Sequence, residues 1–455
     1  MRRTDYLSTL CQNVSTMKNR LSLCILILLI AFTQCKKEDI GGADQVKSLD
    51  GKIAIEYMDF IRDLVKKTAG FSPPVASRAF GYTGLTLYEA VVGGISDRQS
   101  LVGHVNGLTE LPKPSGLVHF GQVANAAMNR AIELYFPTIP EALRPNLALI
   151  NATYKSEYLK TTTESVINNS TDYGIALANA IFEYSKTDGG HEGYKNNFPD
   201  FTLPVGPQYW VPTSAANPKP LQPFWGKNRP FSKNSIVNSQ PAKYPDFSTD
   251  KTSLFYARAL EVYTVTKNLT QAQIDIAKYW SDDPGVPGTP PGHSESITSQ
   301  VLTKEKSNLA VAAEAYAKIG MAVSDAFVSC WKCKYDYNLL RPVTYINQYI
   351  DPAWKTLLAT PAFPEYTSGH SVQSGASARV LSDLFGYGYS FVDNTHASRT
   401  DINGAPRAYR SFDEFAAEAA ISRLYGGIHY REAIDLGVLQ GNKVGDEILA
   451  LKFTR

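Results

Sequence analysis

The sequence predicts an all-α protein, built of helical bundles with long ordered loops and little or no β structure. Three observations predict it. Apolar residues recur at helical spacing along most of the chain, and no stretch keeps the apolar–polar alternation of a half-buried strand. The breaks between the periodic stretches draw on 32 Gly, 26 Pro and 26 Tyr, which suits helices joined by long ordered loops better than a bundle with short turns. At 455 residues and 44% hydrophobic content the chain can bury a large core. Its 45 basic and 43 acidic residues leave a formal charge of +2, so there is no broad field for nucleic acid and any anion site must be local.

In chain order, Met17-Lys-Asn-Arg is followed by the apolar run Leu21 to Phe32 and then by Cys35-Lys-Lys-Glu-Asp. The run is shorter than the roughly 20 residues of a membrane-spanning helix, and the pattern resembles a bacterial lipoprotein signal peptide. The resemblance implies a start at Met17, a signal peptide over 1–34, lipidation of Cys35 and a tether over 35–48. It also implies a lipid-anchored place in the cell envelope, at the outer membrane or surface of a Gram-negative bacterium, with membrane contact only through the anchor. One large helical domain is expected over 49–455, its motifs within 331–435.

Within that domain, Ile53, Ile55, Met58, Ile61 and Leu64 mark a helix over 49–68. Ser72-Pro73-Pro74 opens a second helix containing Arg78 and Glu89, and further helices are expected over about 117–136, 140–163 and 171–187. Residues 188–248 turn to Pro, Gly, Asn and aromatics, and the Trp and Phe content predicts an ordered crossover in which Lys227 and Arg229 are surface charges. Helix resumes over 252–281. A Pro/Gly-rich loop then runs from Asp282 to His293, which is read as a lone loop histidine outside the catalytic set. An Ala-rich helix over 303–333 delivers Lys334, and helices are expected near 351–359, 370–386, 411–428 and 431–451. Cys330 and Cys333 are read as small apolar residues on that Ala-rich helix, not as a metal or redox pair.

Chemistry gathers in three places: Lys334 to Arg341-Pro342, Thr367-Ser368-Gly369-His370, and Ser422-Arg423 to His429. Lys334 and Arg341 stand seven apart, about two helical turns, so both can face one side if the segment stays helical. Ser368-Gly369-His370 leads into a helix, whose first N–H groups and dipole favour an anion. Burying three cations without an anion costs several kcal/mol each, roughly, whereas charge-assisted hydrogen bonds to an oxyanion return about 1.5–3 kcal/mol apiece. Gly426 and Gly427 let neighbouring helices, or the anion, come close to the last motif.

In this order the motifs resemble the signature shared by vanadium-dependent haloperoxidases and by type 2 phosphatidic acid phosphatases and bacterial acid phosphatases. The resemblance implies that Lys334, Arg341, Ser368, Gly369 and Arg423 bind the oxygens of vanadate, or of phosphate in the same site. His429 would ligate vanadium, or attack phosphorus in a phosphatase, and His370 would be the acid/base. The family usually has Pro where this chain has Thr367, and often Asp where it has Ala433. The second departure bears on what orients His429, the nearest Asp being Asp435.

Trp331 and Phe363 match positions where haloperoxidases carry aromatic residues of the halide pocket. The likeness to haloperoxidase-like lipoproteins extends to Arg78-Ala-Phe-Gly-Tyr-Thr-Gly-Leu-Thr-Leu-Tyr-Glu-Ala90. The expected activity is therefore oxidation of iodide or bromide by hydrogen peroxide. An acid phosphatase working through phosphohistidine is the alternative, and an inactive phosphate-binding surface lipoprotein is the third.

Overall fold

The computed structural model describes residues 44–215, 218–282 and 287–455. The signal peptide, Cys35 and the start of the tether lie outside these residues. The end of the tether does not behave as one: Gln45 and Val46 are buried, and the Gln45 side-chain carbonyl accepts the Phe120 N–H at 2.9 Å. The fold thus begins a few residues earlier than 49.

The first half is helical as expected. Helices α1 (Lys52–Lys67), α2 (Pro73–Val91), α3 (Phe120–Tyr135), α4 (Arg144–Leu159) and α5 (Glu164–Ser185) follow one another. α1 buries Ile53, Ile61 and Leu64 on one face, whereas α2 is buried almost throughout. The arginine and the glutamate of α2 therefore find partners inside. Arg78 meets Asp188 at 2.7 Å, and Glu89 accepts the Leu101 N–H at 2.7 Å.

Residues 188–248 form the ordered crossover that the aromatics predict, with Trp210 and Trp225 buried and one short helix, α6 (Ser235–Asn238). Lys227 and Arg229 stay at its surface side, over the rings of Phe224 and Tyr184. The expected helix over 252–281 is two, α7 (Leu254–Lys267) and α8 (Gln271–Tyr279), because Thr270 and Gln273 cap a fresh start reciprocally. The loop read up to His293 ends at Gly288. Thr289-Pro-Pro instead opens α9 (Thr289–Lys304), with prolines in the first turn where no N–H is required.

Helix α10 (Leu309–Tyr337) is the axis of the molecule. It lies against α2 so closely that a Cβ on Gly84 would come within 2.5 Å of the Tyr316 carbonyl oxygen, and one on Gly320 within 2.6 Å of that of Phe80. The helix runs one turn past the expected end and includes Lys334. Asn338, at φ 47°, closes it by bonding back to the Lys334 carbonyl. Lys334 and Arg341 therefore do not share a helix. Arg341 is extended and precedes α11 (Pro342–Tyr349), which stands in place of the helix expected near 351–359. Proline at the first position fits that start, and the Asp351-Pro352 stretch is irregular.

The chain closes with α12 (Gly369–Phe385), α13 (Phe412–Tyr425) and α14 (Arg431–Leu449). Between α12 and α13, strand β1 (Phe391–Asp393) pairs antiparallel with β2 (Arg407–Tyr409), the one sheet among the described residues. The all-α expectation stands. No helix among the described residues is long and apolar enough to cross a membrane.

Candidate active site

The three motifs come together at the end of α10, the start of α12 and the turn between α13 and α14, where Arg341, Lys334, Arg423 and His370 all act on His429. Lys334 is fully buried, and its ammonium donates to the carbonyls of Pro364 and Glu365, each at 3.1 Å, and of Thr367. Backbone dipoles thus hold this charge in place without neutralising it. Burial pushes its pKa down to about 8.

Arg341 is also fully buried. Its Nε donates to the Phe363 carbonyl at 2.9 Å, and its Nη1 to the Ile428 carbonyl at 2.8 Å. Nη1 also lies 3.1 Å from His429 Nε2, while Nη2 is buried with no hydrogen-bond partner. Burial lowers its pKa to about 10. Arg423 is held by the carbonyls of Trp280 at 2.6 Å and Ala277 at 3.4 Å.

Ser368 caps α12 through its hydroxyl, which accepts the Ser371 N–H at 3.4 Å, and its own N–H reaches the Ala433 carbonyl at 3.0 Å. At Gly369 a Cβ would meet only Trp331, at 3.7 Å, so the helix start faces open space. Thr367, where the family usually has Pro, donates to Gln440 of α14 at 2.6 Å and so ties the motif to that helix. Cys330 and Cys333 are free and buried beneath it, as small residues packed on α10.

His429 is oriented by Glu365, not by Asp435, which is exposed. Glu365 Oε1 stands 2.8 Å from His429 Nδ1 and accepts the Tyr430 N–H at 2.9 Å. This places the proton on Nδ1 and turns the Nε2 lone pair toward Arg341 and the pocket. Burial, then the charges of Arg341, Lys334 and Arg423, hold the imidazole well below the ordinary histidine range. Burial also pushes Glu365 up to about 7. Gly427, at φ 76°, makes the turn before His429 possible, and Trp354 packs 3.3 Å from where its Cβ would be. The last-motif glycines therefore serve packing.

His370 is the second residue of α12, and its pKa falls to about 4 through burial and the Arg423 charge. Its Nε2 is 3.4 Å from Asp282 Oδ2, without hydrogen-bond geometry. Trp331 and Phe363 pack at 5.0 Å between centroids, and the Lys334 ammonium lies 4.9 Å from the Phe363 centroid.

Two contributors were not read from sequence. Glu365 lies three residues before Ser368, and its acidity so close to a cationic motif was the available signal. The other is a buried group behind His370, formed by Asp282, His293, Asp393 and His396. His293 is not a solvated loop residue: its Nδ1 meets Asp282 and its Nε2 meets Asp393, both at 2.8 Å. These residues are spread over more than 110 positions, and no local pattern links them.

A tetrahedral oxyanion fits this pocket by the chemistry of its donors. Arg341 Nη2 has no partner, the Gly369 helix start is open, and the neutral imidazole of His429 sets its Nε2 3.1 Å from Arg341 Nη1. The comparisons agree. A family model described as the VCPO second helical-bundle domain matches residues 314–453. The vanadium chloroperoxidase of Curvularia inaequalis is 24% identical over 79% of this chain and 74% of its own length. The crystal structure described as the first bacterial vanadium-dependent iodoperoxidase is 35% identical, covers 90% of this chain and 98% of its own, and superposes with a TM-score of 0.79. A holo bacterial vanadium-dependent chloroperoxidase, 14% identical over 92% of this chain and 96% of its own, shares the fold at a TM-score of 0.62.

Proposed function

The chain belongs to the vanadium-dependent haloperoxidases and is an enzyme of that class, and from this premise we propose that its halide is iodide. The observation that carries the proposal is the 35% identity to an iodoperoxidase over 90% of this chain, against 24% and 14% for the chloroperoxidases. Iodide is also the most easily oxidised of the three halides and asks least of the site. The balance is simple. The O–O bond of hydrogen peroxide breaks, one oxygen passes to iodide, iodide gives up two electrons, and hypoiodous acid and water leave after uptake of one proton.

Vanadate, when bound, supplies the Lewis-acid centre that activates peroxide. The chain's own groups do the rest. Lys334, Arg341 and Arg423 would hold the charge of the oxygens, and the Ser368 hydroxyl and Gly369 N–H would add hydrogen bonds. His429 Nε2 would be the metal ligand, kept neutral by burial and by its cationic neighbours and aligned by Glu365. His370, whose Nε2 lies 3.4 Å from Asp282 Oδ2, would be the group that takes and returns the proton of peroxide. Trp331 and Phe363 form the apolar wall that keeps the oxidised halide from water. Phosphate occupies the same cradle as a competitor.

The test uses purified protein loaded with vanadate. Triiodide formation with hydrogen peroxide is measured beside bromide and chloride oxidation, and a chromogenic phosphate ester is assayed without vanadate. Turnover with iodide well above that with bromide is expected. Equal or faster bromide turnover overturns the halide assignment, and ester hydrolysis without peroxidase activity favours the phosphatase chemistry. Cys35 is proposed as the lipid anchor holding the enzyme in the cell envelope. In that case Cys35→Ala moves the protein from the membrane fraction to the soluble fraction, and an unchanged distribution rejects the anchor.

A further inference from the structure

We propose that Asp282, His293 and His396 form a second metal site, behind the oxyanion cradle, that takes one divalent first-row cation such as zinc. The three side chains are fully or almost fully buried, and each offers one ligand atom, all within 4.8 Å of one another. Asp282 Oδ1 lies 2.8 Å from His293 Nδ1 and 3.6 Å from His396 Nε2. Ligands about 2.0–2.2 Å from a tetrahedral zinc stand roughly 3.3–3.6 Å from one another, so a small adjustment seats the ion.

His396 carries the argument. It is 0% exposed, and neither ring nitrogen has a hydrogen-bond partner. An imidazole buried this way loses its hydration with no hydrogen bond in return, at a cost of roughly 1–3 kcal/mol for each unmet polar atom. A cation beside Nε2 removes that cost. The surroundings of His293 agree, because a ligating histidine normally hands its other N–H to a carboxylate. Here Nε2 meets Asp393 Oδ2 at 2.8 Å, and Asp393 is itself fixed by the Tyr279 hydroxyl at 2.8 Å and the Thr395 N–H at 2.9 Å.

The three ligands come from three segments. Asp282 follows α8, His293 is in the first turns of α9, and His396 lies beyond β1. Thr395, beside His396, lines a cleft of about 820 Å³ that offers an approach from solvent. The ion would therefore tie the β-hairpin loop to α8 and α9, just behind His370, and Asp282 would present one oxygen to the metal and the other to His370.

The test uses the full protein purified without chelator, with and without vanadate. Bound zinc and other first-row metals are measured by mass spectrometry after dialysis. The chelator-treated protein is then titrated with Co²⁺ and followed by visible absorption. About one equivalent per chain is expected whether or not vanadate is bound. The cobalt bands should be those of nitrogen and oxygen ligation, displaced by Zn²⁺, and Zn²⁺ should raise the melting temperature. His429→Ala should keep this metal, and His396→Ala should lose it. If His396→Ala fails to fold, the wild-type cobalt spectrum decides alone. Absence of Zn²⁺ and Co²⁺ uptake by wild type, or a thiolate-to-cobalt band, overturns the site and leaves His293 as an imidazolium between two carboxylates.

Discussion

Two buried histidines, His429 in the cradle and His293 in the cluster behind His370, sit among opposite charges. In the cradle, His429 is surrounded by Arg341, Lys334 and Arg423 and is held well below the ordinary histidine range. In the cluster behind, burial also works against a charged imidazole, yet Asp282 and Asp393 outweigh it and raise His293 to about 10. Both rings are buried and both touch a carboxylate at 2.8 Å. What differs is the balance of neighbours. Burial alone does not decide which state a histidine keeps; the sum of the surrounding charges does. The first balance calls for an anion and presents a lone pair to it, and the second calls for positive charge.

The largest way to break this comparison is to remove the cradle's ligand. His429→Ala should abolish stoichiometric vanadate binding and lower kcat/KM for iodide by about 10³-fold or more, read by steady-state kinetics at saturating peroxide. A smaller break removes the charge that aligns it. Glu365→Gln should weaken vanadate affinity by about 10–100-fold, measured by equilibrium titration, while kcat per bound vanadium changes less. Affinity equal to wild type would mean that Glu365 is only a packing group.

A third measurement sharpens the sign of the cradle. Lys334 titrates near 8 and Glu365 near 7, both through burial. As pH rises through 7 the pocket gains a carboxylate, and above 8 it loses an ammonium. Affinity for sulfate, whose charge is fixed over this range, should therefore fall from about pH 7 upward, by up to roughly tenfold per unit for each group. Lys334→Met should bind weakly and lose the upper part of that dependence.

The smallest effect is in stability, on the acidic side. Glu295, on α9 two residues after His293, is buried with both oxygens unpartnered, and burial raises it from 4.5 to about 8. Between those values the folded chain holds a proton that the unfolded chain lacks. Its contribution is full below about 4.5 and is lost as pH rises through about 8. Glu295→Gln should flatten the fall of melting temperature across that window by a few degrees. A slope identical to wild type rejects the assignment.

The cradle was legible because its groups come in short contiguous motifs, each with its own local geometry. Lys334, Arg341, Ser368, Gly369, His370, Arg423 and His429 all meet in one pocket. The shape of the connection between the first two was not legible. A helical step was expected, and Asn338 in a left-handed turn makes it instead. α9 and α11 were missed for a shared reason: Pro290-Pro291 and Pro342 read as breaks, although proline in a first turn begins a helix. The Asp282, His293, Asp393 and His396 cluster was out of reach, because tertiary packing alone brings a loop, a helix and the end of β1 with the turn after it together. Glu365 was within reach, since the family's missing aspartate at Ala433 left a donor on His429 that some nearby acid had to accept.

The most direct measurement is nitrogen NMR of the seven histidines in isotope-labelled protein, with His429 assigned by its loss in His429→Ala. The account predicts a neutral ring at pH 7, protonated on Nδ1 only, that does not titrate until well below 6.5. A His429 imidazolium at pH 7, or a proton on Nε2, would contradict it.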